Sequence, residues 1–363
     1  MSKSKEKLEL EQISSEKEDA QTPSRDIKLH TYPADFTLEV LNKKLEDEEI
    51  KIPDFQRKYV WDFNRASRLI ESFLLGLPIP QIYLFVDNEG KLLMVDGQQR
   101  AKTIKYFFKG TFEGDTKRVF RLKIDPKSKF NNKTYEDFNE KEKREFKNNT
   151  LRSIIIQPFN DKEDYDEILA SIFERLNTGG ISLGNQEIRN CIYAGGMINF
   201  LQELNKEPEW RKILGTNLLD KHQRDVELIL RFIALSRTLG SDGELSKYKT
   251  PMKKFLSDFL KENRNPNDSE LLEIKKVFLN TIKKILQTLG EKPFHIRNGM
   301  NAAAFDSVSL VFSRNLNKIP DDVAVRYGKL TKDKQFKEFT EKHTTDKTAI
   351  EKRITRAKDI LLA

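Results

Sequence analysis

A chain of 363 residues exceeds the roughly 100–200 residues of a typical domain, which excludes one small domain and leaves two packed domains or one large domain with a helical extension. Hydrophobic residues make up 37% and charged residues 34%, so the chain reads as a soluble globular protein whose core draws on 24 Phe. The net charge of +8 permits contact with nucleic acid or nucleotide without demanding it, since a solvated Lys/Glu-rich surface gives the same balance.

Cys191 stands alone, which excludes an intrachain disulfide and a multi-cysteine zinc site and fits a reducing cytoplasm. No run approaches the ~18 consecutive apolar residues that a membrane span needs. The start Met1-Ser2-Lys3-Ser4-Lys5 lacks the apolar stretch of a signal peptide, so a cytoplasmic protein without membrane contact is expected.

Residues 1–27 are dominated by Lys, Glu, Ser, Gln and Asp and are expected to form a disordered polar tail, because they bury too little surface to offset their ordering entropy. From about Asp35 the pattern changes. Leu38, Val40, Leu41 and Leu45 predict a helix, and Ile50 to Tyr59 reads as extended chain broken at Pro53. Ala66, Leu69, Ile70, Phe73 and Leu74 recur at helical spacing, with Gly76 as the cap and Pro78 and Pro80 forbidding continuation. The apolar runs Gln81–Val86 and Lys91–Val95 flank Asp87-Asn88-Glu89-Gly90 and predict a hairpin. After Gly97 the period becomes helical, with Ala101, Ile104, Phe107 and Phe108 on one face and Gly110 at the end. A charged stretch from Asn131 to Asn149 precedes Ser153–Gln157, read as the last strand of the sheet. Beyond it the periodic segments are helical: Tyr165–Leu176, Asn185–Tyr193, Asp225–Leu239, Met252–Lys261, Leu271–Leu289, Ala302–Leu316 and a basic stretch Lys329–Leu362. The basic stretch reads as a helix with an Ile stripe ringed by Lys352, Arg353, Arg356 and Lys358. It fits either a packed surface helix or a contact with DNA or a partner protein. The fold class is α+β, with a sheet-bearing domain at 28–160 and a helical domain at 161–363.

Asp96-Gly97-Gln98-Gln99-Arg100 therefore sits on a strand-to-helix turn. Free backbone N–H groups and the helix dipole favour phosphate oxygens there, and Gly97 lets the backbone come close to a ligand. Arg100 suits a two-pronged phosphate contact, Asp96 a divalent ion or a water, and Gln98 and Gln99 a water or a base. The same residues also fit a plain helix start in which Asp96 caps and Arg100 pairs with a nearby acid.

Companion segments bear on that choice. Ile52–Trp61 places Gln56 and Arg57 amid Phe55, Tyr59 and Trp61, offering a second basic arm or an ordinary strand. Phe173-Glu174-Arg175-Leu176-Asn177-Thr178-Gly179-Gly180 ends one helix before another that carries Glu187 and Arg189. A plain cap explains the glycines but not the polar Asn177, Glu187 and Arg189, which with Thr178 are taken as further ligand contacts.

Together, Pro53-Asp54-Phe55-Gln56-Arg57 with Tyr59-Val60-Trp61, Leu69–Pro80, Asp96–Arg100 and Phe173–Gly180 resemble the prokaryotic domain-of-unknown-function family 262, the N-terminal part of GmrSD-type restriction enzymes. The likeness covers residues 35–240, the last part through a weaker echo at Arg224–Phe232. The resemblance implies a ParB/sulfiredoxin-like α/β fold whose Asp-Gly-Gln-Gln-Arg turn binds a nucleoside triphosphate, with Mg²⁺ and hydrolysis that gates nucleic-acid restriction. Many relatives carry an HNH nuclease downstream. Here His30, His222, His295 and His343 are scattered without metal-ligand spacing, so cleavage by this chain is not expected and no metal-ligand residues are assigned. The expected function is a nucleotide-binding, NTP-hydrolysing module of an anti-phage or restriction system. The alternative is a non-catalytic ParB-like adaptor for DNA or a nuclease partner, switched by nucleotide, with a self-contained carboxylate nuclease ranked last. DNA and a separate effector protein are the expected macromolecular partners.

Overall fold

Apolar alternation and turn chemistry build a five-stranded sheet in the first half of the chain. A computed structural model describes residues 28–53, 59–114, 118–159, 164–176, 183–241 and 243–363. The strands are β1 (Leu29–Pro33), β2 (Phe36–Thr37), β3 (Ile50–Lys51), β4 (Ile82–Val86), β5 (Leu92–Asp96), β6 (Thr150–Leu151) and β7 (Ser153–Pro158). The main sheet runs β1-β7-β4-β5-β3, and β2 pairs with β6 in a small antiparallel ladder. β4 and β5 form the expected antiparallel hairpin, while β7 runs parallel to β4 and antiparallel to β1. Thus the last strand in sequence lies inside the sheet. β1, which precedes the Asp35 start read from the pattern, covers its edge.

Helices α1 (Leu38–Glu46), α2 (Phe63–Leu74), α3 (Gln98–Lys109) and α4 (Glu140–Asn148) belong to the same unit. Leu38, Leu41, Ala66, Ile70, Phe73, Ala101, Ile104 and Phe107 bury against Ile82, Leu84 and Met94 in one core. Phe85 alternates to the opposite sheet face, where Tyr165 of α5 (Tyr165–Leu176) meets it edge-on at 5.3 Å. The charged stretch Asn131–Asn149, to which no element is assigned from the sequence, contains α4, fixed at its start by Asn139 and Glu142 in a reciprocal capping box.

The chain divides into two compact units, Ser24–Leu183 and a second that takes in Gly184–Ala363. The described part of the second is helical. It comprises α6 (Asn185–Ile192), α7 (Gly196–Leu204), α8 (Pro208–Leu214), α9 (Arg224–Thr238), α10 (Met252–Glu262), α11 (Asp268–Leu289), α12 (Ala302–Arg314), α13 (Val323–Leu330), α14 (Lys334–Glu341) and α15 (Lys347–Leu362). The α+β class stands. α12 is the hub: Ala303 to Phe312 are buried, and α9, α11 and α15 pack around it. The basic C-terminal stretch is three helices rather than one pattern. Its Arg353 is buried, donating to Asp306 at 3.2 Å, instead of ringing the surface. Among the described residues no helix is long and apolar enough to cross a membrane.

Candidate anion-binding site

The hairpin that carries the motif is irregular at its end. Leu84 pairs with Met94 and Tyr83 with Asp96, so Val95 is an extra residue in β5. Such a bulge bends a strand and re-aims the residues after it. Asp96 closes the strand, and Gly97 turns the chain into α3 with φ +98°. A Cβ on Gly97 would lie 2.2 Å from Cγ2 of Ile82 and 3.2 Å from Nη2 of Arg100. The glycine is therefore needed for packing within the protein as well as for its backbone conformation.

α3 starts without a side-chain cap. Its first internal bond runs from Ala101 N–H to the Gly97 carbonyl at 3.0 Å, which places the N–H groups of Gln98, Gln99 and Arg100 ahead of the helical ladder. The Asp96 carboxylate does not cap them. It accepts from Arg100 Nη2 at 2.8 Å, and the same nitrogen donates to the Gln81 carbonyl at 2.9 Å. Arg100 is 16% exposed and Asp96 50%, so the pair sits at the rim of the turn with the arginine turned inward.

Three consecutive side chains then leave buried polar atoms without partners among the described residues: Gln98 Oε1, Gln99 Nε2 and Arg100 Nε. The Gln99 amide is oriented by its other end, because Oε1 accepts from Val60 N–H at 3.0 Å. Its Nε2 is thus a true donor, as is the guanidinium Nε. An unsatisfied buried polar group costs about 1–3 kcal/mol, so two donors without acceptors on consecutive residues call for acceptors from outside the described residues. The two side-chain donors and the uncapped helix start fit an anion, whereas Gln98 Oε1, an acceptor, calls for a donor such as water or a hydroxyl.

The described end of the Ile52–Trp61 segment, Tyr59 and Val60, comes to this helix. Thr103 Oγ1 donates to the Gln99 carbonyl at 2.7 Å, and the Tyr59 hydroxyl lies 2.7 Å from that Oγ1, to which it donates. The Tyr59 ring packs edge-on to Tyr106 and Phe112, and burial pushes its hydroxyl up to about 12. Gln56 and Arg57 lie outside the described residues, as do Asn177 and Thr178.

Glu187 and Arg189 belong to the helical unit. Glu187 is buried, and its Oε2 accepts from Gly184 N–H at 2.7 Å and lies 2.9 Å from His222 Nδ1. Arg189, also buried, donates to Glu227 Oε2 and to Gln186 Oε1, each at 3.1 Å. The roles of Thr103, Val60 and the Gln81 carbonyl escaped sequence reasoning; two of these partners act through backbone atoms, which leave no residue signature. The Glu187–His222 pair was likewise unread, since 35 residues separate its members. Among the described residues no three His, Cys, Asp or Glu gather where a metal ion could sit.

Residues 38–194 match the family model described as the GmrSD restriction endonuclease, N-terminal domain. The matched stretch contains the Asp-Gly-Gln-Gln-Arg turn and its companion segments, and it bears out the family resemblance read from them. No curated protein matches the chain.

Proposed function

We propose that the chain is a component of a restriction or anti-phage defence system and that its Asp96–Arg100 turn binds and hydrolyses a nucleoside triphosphate with Mg²⁺. The observation that carries this reading is the pair of buried donors without acceptors, Gln99 Nε2 and Arg100 Nε, beside the uncapped start of α3. In this assignment Arg100, Gln99 and the first-turn N–H groups hold phosphate oxygens. Asp96 is placed to hold the cation or orient water, and Gln98 to position water or contact the nucleoside. Bound there, the triphosphate supplies the missing acceptors and a phosphoanhydride bond to be hydrolysed. Gln56, Arg57, Asn177 and Thr178 keep their proposed ligand roles from the sequence. For Glu187 and Arg189 the partners within the helical unit support a structural role beside the proposed ligand role.

One observation favours binding without turnover. Oδ2 of Asp96 is engaged by Arg100, which leaves Oδ1 alone to orient water or meet a cation while the pair is closed. A nucleotide-switched adaptor for DNA or a separate nuclease is therefore the second reading. Four NTPs, tested for binding and phosphate release with Mg²⁺, with and without DNA, separate the two. Arg100→Ala loses binding and turnover. Asp96→Asn loses turnover while binding is kept or tightened several-fold, because Arg100 is released from a half-exposed pair worth up to about 1 kcal/mol. Unchanged activity in both variants removes the assignment, and binding with no turnover in the wild type selects the adaptor.

A further inference from the structure

Next to this turn the chain builds a second kind of surface. Trp61 and Phe63 are half-buried at the start of α2, and Phe63 stacks on buried Phe112 at 3.8 Å with an interplanar angle of 15°. Exposed cations lie on these rings. The Arg65 guanidinium is 4.8 Å from the Trp61 ring, Lys123 Nζ is 5.1 Å from Phe63, and the Arg118 guanidinium is 5.4 Å from Phe63 and 4.9 Å from Phe112. The two segments that carry them are held in register, since Lys123 N–H donates to the buried Ser67 Oγ of α2 at 2.9 Å.

Charge pairing sets Arg65 and Lys123 apart from the other ring-braced cations of the same unit. The other cations that lie on rings in this unit meet acids: Lys44 with Glu49, Lys129 and Lys133 with Glu142, Lys143 with Glu136. Here Arg118 has Glu113 at 2.8 Å, but Arg65 and Lys123 are in no ion pair among the described residues. Asp62, the nearest acid in sequence, spends its carboxylate on the Arg65 backbone N–H as the cap of α2. Cations braced on rings, rather than neutralised, keep their charge for an outside anion and lose little side-chain freedom on meeting it. Three cations carried on two segments can meet more than one phosphate, as a repeating anion offers.

We propose that the Trp61–Phe63–Arg65–Arg118–Lys123 face binds the sugar-phosphate backbone of nucleic acid. The contact is sequence-independent, made by Arg65, Arg118 and Lys123 to phosphates while the rings hold these cations in place. It does not depend on nucleotide binding at Asp96–Arg100, although Val60, which bonds Gln99, immediately precedes Trp61.

The test uses the full chain and a labelled 30-nucleotide single strand and its duplex, titrated by fluorescence anisotropy from 50 to 200 mM salt. Arg65→Glu/Lys123→Glu is expected to lose at least tenfold in affinity at 50 mM salt. Its log–log salt slope should fall by about 1–2 relative to wild type, the loss expected for two phosphate contacts. The control Lys28→Glu/Lys43→Glu, which makes the same charge change at exposed positions away from the rings, stays within threefold. NTP turnover is unchanged in both. Should the reversal disturb the fold by circular dichroism, Arg65→Gln/Lys123→Gln is used and still loses at least threefold. The proposal is overturned if the wild type does not bind at 50 mM salt, if both double variants lose equally, or if polyglutamate binds with the same dependence on Arg65 and Lys123, which would assign the face to an acidic protein.

Discussion

Gly97 illustrates how much one residue carries at the turn. Its φ of +98° excludes a β-carbon for conformational reasons, at a cost of about 1–2 kcal/mol. Ile82 excludes it again, with Cγ2 where the new atom would stand 2.2 Å away, and overpacking of this kind costs about 1–3 kcal/mol more. Gly97→Ala is therefore expected to lower the opening free energy of amides in β4, β5 and α3 by roughly 2–5 kcal/mol in native-state hydrogen exchange. Adding Ile82→Ala should make the two changes non-additive, since it removes the methyl at 2.2 Å and leaves the φ cost and the 2.8 Å approach to the Cβ of residue 82. A loss under about 0.5 kcal/mol in Gly97→Ala would reject this account. The residue types of the turn were legible because acid, glycine, amides and arginine before a helical period have few shared uses. That Gly97 answers to Ile82 was not legible, being a tertiary contact across the hairpin. Arg100 realises both readings of the sequence: it pairs with an acid, and it leaves Nε buried and unsatisfied.

Between elements, the tie from the Tyr59–Trp61 segment to α3 runs through Tyr59, Thr103 and Gln99. Burial raises the Tyr59 hydroxyl to about 12 from 10.0, against the smaller lowering by Thr103. The folded state keeps this proton where the unfolded chain has lost it. The contribution is thus fully present below pH 10.0, declines as pH rises, and is gone above about 12. Tyr59→Phe is expected to flatten the fall in urea stability between pH 9.5 and 11.5, and to cost about 0.5–1.5 kcal/mol at pH 7 for the lost hydrogen bond. An unaltered slope would show that other tyrosines carry it. The elements themselves were mostly legible: α2, the hairpin, α3, α5 and the long helices beyond obey their apolar periods. The helix α4 was missed because Phe146 is its one buried apolar side chain, and its start depends on the Asn139–Glu142 capping box. β1 was missed because it is an edge strand exposed along most of its length.

Across the whole molecule the charge is unevenly placed. Residues 184–363 hold 33 Lys and Arg against 24 Asp and Glu, so the basic excess of the chain resides in the helical unit. Part of that excess is inside. Asp306 of α12 accepts from Arg231 of α9 through Nε at 3.2 Å and through Nη2, and from Arg353 of α15 at 3.2 Å. One carboxylate thus ties three helices far apart in sequence. No periodicity could reveal it: Arg353 reads as part of a basic face until the fold brings Asp306 to it. The two arginines are not equal. Arg231 meets the carboxylate with two nitrogens, whereas Arg353 leaves Nε buried without an acceptor, and burial draws its guanidinium down to about 10. The structure thus charges Arg353 at a cost that Asp306 offsets only in part. Asp306→Asn strands two buried cations and is expected to lower the stability of the helical unit by about 3–5 kcal/mol. Arg353→Met keeps the Arg231–Asp306 pair and removes the excess charge, so it should change stability by less than about 1 kcal/mol or raise it. Hydrogen exchange of amides in α9, α12 and α15 reads both variants. If Arg353→Met proves as damaging as Asp306→Asn, the three groups act as one network and the second arginine is required rather than merely tolerated.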